Sequence, residues 1–291
     1  MLAKVLSCAV VGLDGAIVEV EIDISPGLPA FNIVGLPDTA VQEAKERVRA
    51  AIKNSGLMFP TKRITVNLAP ADMKKEGPAY DLPIAVGILI CSGQIQTDVS
   101  KTVFLGELSL DGSLRHTHGI LPMVALAAEN DLHSVFVPAI DAREASLVQE
   151  AKILPVNSLS ELAQHLNNGV CISYYEPDIE LQNTSFIPEI DLADIKGQEH
   201  VKRGLEVAAA GGHNFLMSGP PGSGKTLLAR SLPSILPKMS RAEALEVTKI
   251  YSISVLLPSD TPLIMQRPYR PALHHLQRRS CRRGTLAKRG R

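Results

Sequence analysis

The chain has 291 residues, 45% of them hydrophobic, which at ~100–200 residues per domain allows two cores, and no run of about 18 apolar residues offers a membrane span. The formal net charge of zero hides an uneven division: residues 261–291 carry nine Lys and Arg and no acid, whereas residues 1–260 carry 30 acids against 21 bases. Cys8, Cys91, Cys171 and Cys281 stand far apart without a CxxC pair, which speaks against a disulfide framework or a zinc site and leaves the first three as core or half-buried thiols. A soluble, cytoplasmic, two-domain protein is expected, since the opening MLAKVLSCAVVGLDG runs into strand-like sequence rather than a cleavage site.

Residues 3–11 and 16–24, rich in Val and Ile, flank Gly12-Leu13-Asp14-Gly15 and read as a hairpin. From Asp38 the period changes. Val41, Ala44, Val48, Ala51 and Ile52 share one helical face, Lys and Arg take the other, and Gly56 closes the helix. A strand over 63–68, an apolar helix over 82–91, a strand over 103–110 turning at Asp111-Gly112, a helix over 121–130 and a strand over 134–137 follow. Asp141 is placed to cap a helix through Gln149, residues 153–156 form a short strand, and Ser158 with Glu161 has the spacing of a capping box. Residues 1–171 are therefore expected to form a mixed α/β domain. The polar, Pro-interrupted stretch 172–190 reads as a linker.

A second domain begins at 191. Residues 198–210 have a helical pattern, Asn214 to Ser218 reads as a short buried strand, and Lys225 to about Leu232 reads as a helix limited by Pro233. Ser240 with Glu243 opens one further helix. Between strand and helix lies GPPGSGKT, residues Gly219, Pro220, Pro221, Gly222, Ser223, Gly224, Lys225 and Thr226, a full match to G-x-x-x-x-G-K-[ST]. The glycines let successive N–H groups face phosphate oxygens, and the helix beginning at Lys225 adds the positive end of its dipole. Lys225 is the candidate ligand of the β and γ phosphates of ATP, and Thr226 is the candidate Mg²⁺ ligand through its hydroxyl.

Residues 191–214, DLADIKGQEHVKRGLEVAAAGGHN, resemble the segment preceding this loop in AAA+ ATPases, which implies that Ile195, Lys196 and Gly197 lie over an adenine base. The segments VGLPDTAVQEAKERVRAAIKNSG (34–56), RITVNLAPADMKKEG (63–77), YDLPIAVGIL (80–89) and FLGELSLDGSLRHTHGILP (104–122) resemble magnesium-chelatase-like AAA+ ATPases of the YifB/ComM type over about residues 1–270. The resemblance implies a ribosomal-S5-like first domain of the kind shared with the Lon protease, followed by a P-loop AAA+ domain that assembles as a homo-oligomeric ring, a hexamer in the intact family. It also implies an ATP- and Mg²⁺-dependent motor for DNA branch migration in natural transformation. A protein or metal-insertion remodeller like the chelatases is the second reading, and an ATP-dependent protease the third.

Alignment with the protease places Ala79 where the serine nucleophile belongs and Leu121 where the lysine belongs, so residues 1–171 are expected to be proteolytically silent. His116 and His118 have no partner spaced to complete a metal site and read as loop residues, and Asp72, Lys74, Lys75 and Glu76 read as a solvated loop.

After Thr226 only 65 residues remain, against about 30 or more for one βαβ unit, and no apolar strand ending in Asp-Glu, sensor or arginine-finger segment follows. Residues 191–270 are thus expected to be the front part of an AAA+ domain, binding ATP weakly and lacking the means to hydrolyse it. Residues 271–291 are arginine-rich and aperiodic. The peptide QRRSCRRG can be encoded so that reading one base later gives Asn-Ala-Gly-Leu-Val-Gly-Gly, a kind of stretch the resemblance places just after RPYR and a pair of histidines. A loss of frame after about residue 270 is the expected origin of the basic tail, and a nucleic-acid arm is the alternative.

Overall fold

A computed structural model describes residues 2–75, 77–176 and 190–254, together with 256–257, 263–265 and 267–268. Residues 177–189 of the expected linker, the tail from 271 and Cys281 lie outside the described residues. Two compact units emerge: Met1–Ile179 with Thr248–Leu263, and Glu180–Val247 with Ile264–Arg291.

The first unit opens with the hairpin of β1 (Leu2–Val11) and β2 (Asp14–Ser25), paired in register from Leu2 opposite Asp23 to Val11 opposite Asp14. A short strand the periodicity did not reveal, β3 (Ala30–Val34), precedes α1 (Thr39–Asn54). The residues α1 buries are Val41, Ala44, Val48, Ala51 and Ile52, the stripe set by 3.6-residue spacing. Its first turn is tied by Asp38, whose carboxylate accepts from Val41 N at 2.8 Å and Gly77 N at 3.2 Å.

β4 (Arg63–Ala69) leads to α2 (Asp81–Cys91), a helix apolar on every side and almost wholly buried. α2 packs on β1, β2 and α1. At its start the buried Asp81 takes Arg47 in a two-pronged ion pair, Nε to Oδ2 at 2.6 Å and Nη2 to Oδ1 at 3.0 Å, and also accepts from Leu108 N at 3.2 Å. Burial holds the Asp81 carboxyl up at about 6, against the downward pull of Arg47 and the Leu108 N–H.

The strand expected over 103–110 is two strands. β5 (Thr102–Phe104) joins the main sheet, the chain leaves it at Leu105-Gly106, and β6 (Glu107–Leu108) pairs instead with β7 (Leu114–Arg115) in a separate ribbon. The break has a backbone cause: Gly106 N donates to Ala79 O and Gly106 O accepts from Leu82 N, so residues that would continue the ladder bond to the start of α2. α3 (Ile120–Glu129) packs on β1 and β2, followed by β8 (Ser134–Pro138), α4 (Ala142–Ala145), β9 (Lys152–Val156) and α5 (Leu159–Leu166).

The seven strands order as β3-β4-β2-β1-β5-β8-β9, with only the β1/β2 and β2/β4 pairings antiparallel, so the unit is mixed α/β around a largely parallel sheet. Two expected caps differ. Asp141 does not cap, and α4 stops at Ala145 rather than reaching Gln149. Ser158 does accept from Glu161 N at 3.2 Å, but the Glu161 carboxylate goes to Asn157 N at 2.9 Å instead of the Ser158 N–H.

In the charged run Asp72 and Lys74 are exposed as expected, Glu76 lies outside the described residues, and Lys75 departs from the expectation. Lys75 is fully buried, its ammonium donating to Pro70 O and, at 2.7 Å, to Met73 O, while its backbone bonds Leu36 and Asp38. Desolvation lowers its pKa. Cys8 and Cys91 are buried as expected, whereas Cys171 is exposed. Among the described residues no helix is long and apolar enough to cross a membrane.

The second unit holds α6 (Glu199–Gly211), α7 (Lys225–Ser231) and most of α8 (Arg241–Ile253). Its core is small: Leu192, Ile195, Leu205 and Leu228, flanked by half-buried Ile190, Val201, Met217, Leu232 and Ile235. The expected strand over 214–218 is absent, and Leu216 is 74% exposed. A strand is stabilised by ladder bonds to a neighbour, and among the described residues of this unit no strand offers one. The start of α8 carries the reciprocal cap read from sequence, Glu243 N to Ser240 Oγ at 3.3 Å and Ser240 N to Glu243 Oε2 at 2.7 Å.

Candidate functional site

The loop from Gly219 to Thr226 turns twice through left-handed backbone, at Gly222 (φ +79°) and Gly224 (φ +81°), where a side chain is strained. Beyond the positions a Cβ would take at these two glycines no other heavy atom lies within 4 Å, so the loop's backbone is open to a ligand. α7 begins at Lys225, directly after Gly224, and the first turn of a helix leaves N–H groups free to point at an anion.

The Lys225 ammonium curls back over this loop. It donates to Gly219 O at 2.9 Å, Pro220 O at 2.7 Å and Ser223 Oγ at 3.1 Å, and Ser223 Oγ in turn donates to Pro220 O at 2.9 Å. A bound phosphate would exchange these neutral acceptors for charged oxygens, a stronger class of hydrogen bond. Thr226 is exposed at the head of α7. Gly219 to Thr226 are one continuous element, so backbone N–H groups, ammonium and hydroxyl fit a triphosphate with Mg²⁺ as a donor set.

Ile195 is almost fully buried and shares its cluster with Leu228, one turn into α7, which anchors the 191–197 segment beside the phosphate loop. Gly197 is in left-handed backbone (φ +72°), and Lys196 is exposed. Asp191 secures the segment's start, accepting from Ala193 N at 2.9 Å, and Leu192 N donates to Ser234 Oγ at 3.0 Å. Leu228 and Ser234 were not singled out from sequence; the apolar i, i+4 pair Leu228 and Leu232 was the available signal for the first.

The first unit has a cavity of about 460 Å³, lined among others by Cys8, Gly77, Ala79, His116, His118 and Gly119. Ala79, aligned with the protease serine, does stand at this cavity, and Leu121, aligned with the lysine, is buried with its N–H donating to Glu144 Oε1 at 3.1 Å. Neither carries a nucleophile or base, and burial pushes the Cys8 thiol up to about 12, far from thiolate. His116 is more than a loop residue: its Nδ1 meets the buried Asp141, which also accepts from Thr117 N at 2.9 Å, and its Nε2 faces His118 Nδ1 at 3.1 Å. Burial raises both the Asp141 and Glu144 carboxyls. Asp141 lies 25 residues from His116, and its reading as a helix cap concealed this partnership. Among the described residues no group of three or more His, Cys, Asp or Glu gathers as a metal site.

Comparison with known proteins places both units. A family model described as "Subunit ChlI of Mg-chelatase" matches residues 20–141, and one described as "Magnesium chelatase, subunit ChlI" matches residues 191–284. The chain is 42% identical over 277 residues to the protein named competence protein ComM of Haemophilus influenzae, and 40% identical over 267 residues to YifB of Escherichia coli K12. The chain belongs to the magnesium-chelatase-like family of the YifB/ComM type. The protein Rv2897c of Mycobacterium tuberculosis H37Rv is 43% identical over 275 residues. These alignments take in 94% of this chain and 54% of the relative for ComM and the mycobacterial protein, and 91% and 52% for YifB. The chain thus spans about half the length of the curated relatives it matches. The second family match reaches residue 284 and so enters the stretch after 270 where a loss of frame is expected.

Proposed function

We propose that this chain binds ATP with Mg²⁺ at Gly219–Thr226, as the P-loop portion of an AAA+ ATPase, and that its first unit is a ribosomal-S5-like domain without protease activity. The observation that carries the reading is the loop itself: two left-handed glycines, an ammonium folded over the loop, and a helix starting at that lysine. Thr226 supplies the metal ligand, and Ile195 and Gly197 flank the base.

The family relation to a protein named for competence favours DNA as the polymer acted on, by a homo-oligomeric, hexameric ring that drives branch migration. Remodelling of a protein or insertion of a metal ion, as the chelatase name of the family models suggests, is the second reading. Titration with a fluorescent ATP analogue in Mg²⁺ tests the nucleotide site. Saturable binding, weakened at least about tenfold by Lys225→Ala, supports it. Binding that Lys225→Ala leaves unchanged would show that the loop is not the nucleotide site. Stimulation of the ATPase of a full-length relative by branched DNA separates the DNA reading from the remodelling one.

A further inference from the structure

In the first unit, the beginning of β3, one side of α1 and the connection from α1 to β4 enclose a cleft of about 240 Å³. Lys45, Arg49 and Lys53 recur every fourth residue, so they stand in a row along α1, and Lys62 joins them from the connection. Glu46 is the one acid of the lining. Among the described residues none of the four cations is ion-paired, although like charges spaced in this way repel. The concentration of positive charge is local, because residues 1–260 as a whole carry more acids than bases.

Two aromatic rings stand among these cations. Phe31 and Phe59 are half-buried with centroids 5.9 Å apart and planes inclined by 42°, and the Arg49 guanidinium lies 5.9 Å from the Phe59 ring centre. The solvated side of an amphipathic helix accounts for the lysines; Phe31 and Phe59 rest partly on the core, yet both also line the cleft, so ring atoms and cations face the same space. Unpaired cations beside accessible ring faces are the means by which single strands of nucleic acid are held: phosphates meet Lys and Arg, and bases stack on rings and guanidinium planes. An acidic peptide would use the cations and leave the rings idle.

We infer that this cleft is a contact site for single-stranded nucleic acid, with Lys45, Arg49 and Lys53 on the phosphates and Phe59 under a base. The inference rests on the reading of the chain as a protein that acts on nucleic acid, and it adds where and in which form the polymer is held.

The test is fluorescence anisotropy of a labelled oligo-thymidylate about 20 nucleotides long, with the full chain, without nucleotide, at several salt concentrations. Combined Lys45→Ala, Arg49→Ala and Lys53→Ala weakens binding about tenfold or more and lowers the salt slope by about 2, at ~0.7 for each phosphate no longer neutralised. Phe59→Leu, which keeps an apolar side chain against the core, weakens binding about fivefold and leaves the slope unchanged. A matched control of Lys101→Ala, Lys152→Ala and Lys238→Ala changes affinity less than about twofold; circular dichroism melting establishes that each variant is folded.

Equal weakening by the cleft triple and the control overturns the site while leaving the DNA reading standing. Polyglutamate competing as well as the oligonucleotide, with Phe59→Leu silent, overturns it in favour of an acidic protein. No oligonucleotide binding by the parent chain also overturns it, and the DNA reading is then decided by the ATPase stimulation of a full-length relative.

Discussion

The hairpin at the start of the chain and the segment before the phosphate loop are both short apolar stretches, yet only one is a strand. β1 pairs with β2 along its whole length, and Val5, Val18, Val20 and Ile22 are completely buried. Asn214 to Ser218 is equally strand-like in composition but has no ladder, and Phe215 and Leu216 are 40% and 74% exposed. Sequence pattern supplies a propensity; a neighbouring strand supplies the hydrogen bonds and the covered face. The first unit thus has a sheet that positions its helices, whereas the phosphate loop is held chiefly by α7 and the small cluster around Ile195 and Leu228.

Breaking the ion pair under α2 is expected to have the largest effect. Arg47→Ala leaves the buried Asp81 uncompensated and lowers the stability of the first unit by about 3–5 kcal/mol; since the chain has no Trp, urea unfolding is followed by circular dichroism. The same pair sets a pH dependence. A carboxyl held at about 6 when folded, above its ordinary 3.8, contributes stability that is fully present below 3.8 and lost as pH rises through about 6. Asp81→Asn therefore flattens the stability curve across that window, and an unchanged curve would remove Asp81 as its source.

Next in size is Gly87→Ala in α2, whose new methyl would stand 2.1 Å from Ile22 Cδ1 and cost about 1–3 kcal/mol by overpacking. Ser158→Ala removes the cap of α5 and costs about 1 kcal/mol in the same assay. The smallest change belongs to the other side of the comparison: Leu216→Ser shifts stability by no more than about 0.5 kcal/mol. A loss as large as that of Gly87→Ala would mean that Leu216 is covered in solution and that the contrast between the regions is false.

Local signals were legible wherever one element accounts for its own residues. The five buried positions of α1, the hairpin turn and GPPGSGKT all follow from spacing within a few residues. What escaped depends on distant partners. β3 is five residues long and is specified by its parallel pairing with β4; the strand over 103–110 is broken because Gly106 bonds Ala79 and Leu82. Lys75 belongs to a charged run in sequence but is buried because Pro70 and Met73 offer it carbonyls. Asp141 reads as a cap until the fold brings His116 to it. At the phosphate loop the motif named all its residues, while the packing of Ile195 on Leu228 is tertiary and invisible to spacing.

The central claim, that Gly219–Thr226 holds a triphosphate, is tested most directly by amide hydrogen exchange of the full chain with and without Mg²⁺ and ATP. The predicted result is slowed exchange in the loop and the first turn of α7, unchanged exchange in β1 and β2, and loss of the difference in Lys225→Ala. Exchange in the loop that is the same with and without ATP would contradict it.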